Sequence, residues 1–246
     1  MIFGIDNFSE GAVSKVAEIA LSSQIEDSDK LKVDVSTDPA SLADGTLDAM
    51  VIHGEGLVLK KDLRIAEMKV SLGKISINPL KAITGNLELC EPTQGTAHIA
   101  IAEADLNQAF NSDYLEEQIE DTPVATDNQE STLDIDKMTC HLLQNGEIAI
   151  EAIAQISPSD ATQSFEFISQ PRIREDRRGI VLENIRYQNH SEVPPELTDT
   201  ILNKATQLLD LSTFEMPGIS LELESLQVTQ GQLILDGIAY VTELPS

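Results

Sequence analysis

The chain contains no tryptophan, and aromatic residues make up only 4% of its 246 positions. Its interior must therefore be packed with Leu, Ile, Val and Ala. The side chains that stack on sugar rings are scarce, which argues against a glycosidase-like acid/base site. Basic residues are the second shortage: 16 Lys and Arg stand against 42 Asp and Glu, a formal net charge of -26. Such a surface repels a phosphate backbone, so nucleic acid is excluded as a partner. Only two cysteines occur, Cys90 and Cys140. They lack CxxC spacing, and the expectation is two reduced thiols. No apolar run approaches the ~18–20 residues of a spanning helix, and the opening "MIFGIDNFSEG" turns acidic too soon for a signal sequence. These features set the expectation of a soluble, untargeted cytoplasmic protein.

Catalytic signatures are missing as well. His53, His98, His141 and His190 stand singly, at neither HxxxH nor HxE spacing and with no nearby Cys in a zinc pattern. "HGEGLVLKKD" has a Gly-x-Gly without the third glycine or the strand–helix context of a dinucleotide site. There is no GxxxxGK[ST] and no GxSxG, and "DIDK" is too short for a calcium loop. The expectation is no metal, no cofactor and no enzymatic activity. Carboxylates are so numerous that a chance acid/base pair keeps a hydrolase as a third alternative.

What is present is alternation. Val33 and Val35; Leu57 and Leu59; Ile75 and Ile77; Leu87 and Leu89; and Ala97, Ile99 and Ile101 recur at period two. After residue 130 the habit continues through Leu133 and Ile135, Ile148 to Ile156, Phe165 and Phe167, Ile180 and Leu182, Ile219 to Leu223, and Leu233 and Leu235. "QNGE", "SPSD" and "TQGQ" punctuate these runs as hairpin turns. Strict alternation predicts antiparallel sheet with one wet face. Three stretches have helical spacing: Ser9 to Gln24, Ala102 to Leu115, and Pro194 to Asp210. In the first, Val13, Val16, Ala17 and Ala20 form a stripe that Ile19 and Leu21 widen, predicting one broad buried face. The polar, acidic segment Glu116 to Ser131 reads as a loop.

Within "DLRIAEMKVSLGKISINPLKAITGNLEL" the alternation changes phase. Leu63 and Ile65 occupy odd positions, whereas Met68, Val70 and Leu72 occupy even ones. A β-bulge near Ala66 and Glu67 would keep all five on one face and curve the strand. Charge is uneven too. From Ala82 to Pro171 there are seventeen acids and one base, Lys137. From Lys60 to Lys81 there are six bases and two acids, and a second basic island holds Arg172, Arg174, Arg177 and Arg178. Either island suits an anionic headgroup, or is the solvated face of strands balanced by neighbouring carboxylates.

The passage from "GEGLV" through "ISINPLKA" to "PTQGTAHIAIAEADLNQAFNS", preceded by the "SKVAEIALSSQ" helix, resembles the LmeA-like phospholipid-binding family, in its cyanobacterial-type branch. The resemblance covers roughly the first half of the chain and brings no catalytic signature. It implies phospholipid binding in an α+β, TULIP-like fold: a strongly curved antiparallel β-sheet wrapped around two longer helices, with an aliphatic groove between. The expectation is a single domain over residues 1–246. Leu63, Ile65, Met68, Val70, Leu72, Val16, Leu197, Ile201 and Leu208 would line the groove, and Arg172, Arg174, Arg177 and Arg178 would meet the headgroup. A carrier or membrane-associated factor would use such a groove. The alternative is an assembly or scaffold protein with a filled core and no ligand.

Overall fold

The structure is a computed structural model. It describes residues 9–58, 63–82, 84, 86–112, 122–126, 129–157, 161–188, 202–203, 205–206, 209–210 and 218–244. Every strand pairing among them is antiparallel, as the alternation predicts. The first sheet has six strands: β1 (Lys30–Ser36), β3 (Ala49–Val58), β4 (Arg64–Leu72), β6 (Thr93–Ala102), β13 (Gln232–Val241) and β12 (Ile219–Thr229), in that order. The second runs β11 (Ile180–Tyr187), β10 (Ala161–Ile173), β9 (Ile148–Ser157), β8 (Gln129–Leu142) and β7 (Thr122–Thr126). A two-stranded piece joins β2 (Thr46–Leu47) to β5 (Ile75–Ser76). Both large sheets are open.

The phase change in β4 is real, but its form differs from a one-sided bulge. Gly54 pairs with Met68 and Glu55 with Glu67; then Leu57 pairs with Ile65 and Val58 with Arg64. Each strand skips one residue at the same level, Gly56 on β3 and Ala66 on β4, so the register does not shift. The buried positions of β3 change phase with it, from Met50 and Ile52 to Leu57. Gly56 permits this with a left-handed φ of +60°, where a Cβ would strain the backbone and run into Arg64 and Asp29.

Helices serve these sheets as edge covers. Helix α1 (Glu10–Ser22) buries Val13, Ala17 and Leu21 against β1, a narrower stripe than expected, and Ile19 is left exposed. Beside that stripe, the Ser14 hydroxyl accepts from the Val35 N–H at 3.0 Å. Helix α2 (Glu103–Phe110) repeats the device on β8. Pairing with β7 ends at Leu133, and beyond it the strand's free edge is met by helix side chains. Leu142 N–H donates to Glu103 at 2.7 Å. Asn107 accepts from Cys140 N–H at 2.6 Å and donates to its carbonyl at 2.9 Å. Asn111 makes the same pair with Met138 at 3.0 and 2.7 Å. Side chains four residues apart on a helix thus match backbone groups two residues apart on a strand, and the edge is closed to intruding chains.

Several expectations are corrected. The segment Glu116 to Ser131 is not all loop: Thr122–Thr126 is a strand paired with Gln129–Leu133. It is an edge strand, the place where a residue such as Pro123 is tolerated. Leu87 and Leu89 form no strand; only a bridge from Leu89 to Ile77 is made. The third helix falls mostly outside the described residues, although Leu202, Asn203, Ala205 and Thr206 are helical and Ala205 and Leu209 are buried. Among the described residues few helices are present, and of the expected pair of longer ones only the first, the thirteen residues of α1, lies fully within them. No helix among the described residues is long and apolar enough to cross a membrane.

Candidate functional site

A cleft lies on the inner face of the six-stranded sheet. Its cavity volume is about 100 Å³, within a wider open space of about 950 Å³ that includes solvent at the mouth. Leu21 and Ile25 wall it at the end of α1, Leu31 comes from β1 and Ile52 from β3. Ile65, Met68 and Val70 come from β4 and Leu63 from just before it; Ala97, Ile99 and Ile101 from β6; Ala239 and Val241 from β13; and Ile219, Ser220 and Leu221 from β12. Neighbouring strands lie about 4.8 Å apart, so a flat sheet would hold β1 and β12 roughly 24 Å from each other. Both edges nevertheless line one cleft, and the sheet must curl around it. Ser220 is the one polar residue among the lining residues, and none is aromatic. The scarcity of aromatic residues in the sequence reappears as an aliphatic wall.

The phase change explains how β4 and the residue before it contribute four residues. Met68 and Val70 sit opposite Ile99 and Ala97, on one face of β4 and β6. Without the irregularity at Ala66, Ile65 would point away from that face; with it, Leu63 and Ile65 join the same wall.

Of the other residues expected to line a groove, Leu72 and Val16 belong to the packed cluster beside it, with Val13 and Met50. Leu197, Ile201 and Leu208 lie outside the described residues. Sequence reading missed Ile219, Leu221, Ala239 and Val241. Their alternation was visible, but nothing local showed that the end of the chain folds beside β6.

The arginine island sits around the turn from β10 to β11 and is matched by carboxylates. Arg172 lies 3.2 Å from Glu183. Arg174 holds Asp176 at 2.8 Å and Asp210 at 2.7 Å. These bonds raise the pKa of the guanidinium further and hold the Asp176 carboxyl below its usual range. Arg178 donates its backbone N–H to Asp176 at 3.0 Å. Arg177 reaches the cleft's own sheet: its Nε donates to the Leu223 carbonyl at 2.9 Å, its carbonyl accepts from Leu223 N–H at 2.8 Å, and Glu224 lies 3.3 Å away. In the lysine island, Arg64 pairs with Asp29 and with the mostly buried Asp105, and Lys81 pairs with Glu88.

Both cysteines are free thiols, Cys90 exposed and Cys140 buried. Burial, with the Glu103 carboxylate beside it, pushes the Cys140 thiol up to about 12. Native protein is therefore expected to titrate one thiol with a disulfide reagent at pH 8, and two after unfolding; two fast native thiols would refute the buried assignment. Burial keeps the Cys140 thiol neutral in the folded chain, whereas in the unfolded chain it ionises near its ordinary value. Its contribution to stability is therefore full below about pH 9 and lost as pH rises toward 12. Among the described residues no group of three or more His, Cys, Asp or Glu is placed to hold a metal ion.

An open, curled sheet around an aliphatic cleft is chemically suited to a flexible apolar chain, which needs dispersion contacts rather than hydrogen bonds. The sequence model of the LmeA-like phospholipid-binding family matches residues 5–238. The chain belongs to that family, and the match extends the resemblance from the first half to nearly the whole length. No curated protein and no solved structure matched the chain.

Proposed function

We propose that this is a non-enzymatic phospholipid-binding protein that holds acyl chains in the aliphatic cleft, working as one TULIP-like domain in contact with a membrane surface. The observation that carries the reading is the composition of the wall, with fifteen apolar residues among the sixteen that line it. Each methylene taken out of water there contributes about 0.8 kcal/mol. Family membership supports the lipid class. Solvent extraction of the purified protein followed by mass spectrometry is expected to release phospholipid near equimolar amount. An empty extract, together with no uptake from vesicles, would favour the scaffold alternative.

The headgroup role narrows to Arg177, the arginine whose guanidinium bonds to the strand that also lines the cleft. Reversing charge at Arg177 and Arg178 should weaken binding to anionic vesicles more than reversing Lys30 and Lys32, and high salt should reduce the difference. Equal effects from the two double variants would leave the arginines as ordinary surface.

A further inference from the structure

We propose that the free edge of β12 is a polar anchor for ester carbonyls, so that the cleft distinguishes acyl (ester-linked) lipids from ether-linked lipids. The inference rests on the lipid reading above and adds the chemistry of the lip. β12 is the last strand of its sheet. In an antiparallel strand, successive residues turn their N–H and C=O alternately toward and away from the neighbour. The direction at two points fixes the rest. The Gly218 carbonyl accepts from Thr242 N–H at 2.7 Å, toward the β13 side, and the N–H and C=O of Leu223 both bond outward to Arg177. Pairing is regular from Ile219 to Leu223, with the register shift coming only after it. Ile219 and Leu221 therefore turn their backbone groups outward like Leu223, and no described residue pairs with them.

These two residues also line the cleft with their side chains, and Ser220 between them lines it too. A strand whose consecutive residues all border one opening is its rim. All three are partly exposed, so the rim is wet and reachable. A chain lying on the concave face leaves the cleft across a row of outward N–H donors two residues apart. The first polar atoms of a diacyl glycerolipid beyond its chains are two ester carbonyls, which accept hydrogen bonds. A diether lipid has the same chains and headgroup without those acceptors.

The test compares dioleoyl phosphatidylcholine with its diether analogue in a vesicle-to-protein transfer assay, using wild type and Leu221→Pro. Wild type is expected to favour the ester lipid about tenfold, which corresponds to ~1.4 kcal/mol, a modest share of two hydrogen bonds. Leu221→Pro removes one outward N–H at an edge position, where proline is tolerated, and should abolish most of that preference. Ile219→Pro serves the same purpose if Leu221→Pro does not fold. Equal affinity of wild type for the two lipids would overturn the inference while leaving the lipid reading intact. A preference that survives both proline variants would overturn the assignment to β12. Transfer of neither lipid would overturn the lipid reading itself.

Discussion

Val70→Trp protein is expected to purify with most of its lipid missing and its fold intact. Val70 lines the cleft opposite Ala97, towards the C-terminal end of β4, and an indole there would occupy the space a chain needs. Ala97→Trp places the same bulk on the facing strand and should act likewise. An open cleft accommodates the ring, so the thermal midpoint should change little. If the space is in reality filled by packed side chains, the same substitution overpacks it and destabilises the protein by about 1–3 kcal/mol. Lipid content and stability measured on one preparation separate these cases. Undiminished lipid in a normally folded variant would refute β4 as a wall.

The second large effect is expected at Asn107. Its carboxamide satisfies both the N–H and the C=O of Cys140, on the free edge of a strand that is buried there. Asn107→Ala leaves both backbone groups without a partner, and each uncompensated group costs about 1–3 kcal/mol. We expect a loss of about 2–4 kcal/mol, read as a lower urea midpoint at unchanged slope. Faster amide exchange at Cys140 should accompany it. Asn107→Asp should also destabilise, because a second carboxylate oxygen faces the Cys140 carbonyl in place of the donor. A loss below about 1 kcal/mol in the alanine variant would mean that water replaces the carboxamide and that the helix is not the cover of this edge.

Much of the architecture was set by local patterning. Period-two alternation placed nearly every strand of the two large sheets, because in a half-buried antiparallel strand burial and side-chain direction share that period. The absence of tryptophan fixed the aliphatic character of the wall before any wall was located. The break in alternation between Ile65 and Met68 announced an irregularity in β4, since only a local change of conformation puts odd and even positions on one face. The spacing of Glu103, Asn107 and Asn111 was equally legible as one helix face, but its purpose was not.

Tertiary structure decided the rest, because each remaining feature depends on partners far apart in sequence. The irregularity at Ala66 keeps its register only because Gly56, ten residues earlier, makes the matching skip on β3. The cleft needs β12 and β13, which come from the end of the chain, to pair onto β6. Charge runs mark basic islands in sequence but not what faces them, and Asp210, Glu183 and Glu224 reach the arginines only through folding. Side-chain spacing is a local property of one strand or helix. A groove, a covered edge or a neutralised charge is a property of two or more segments brought together, and only long-range pairing specifies which segments meet.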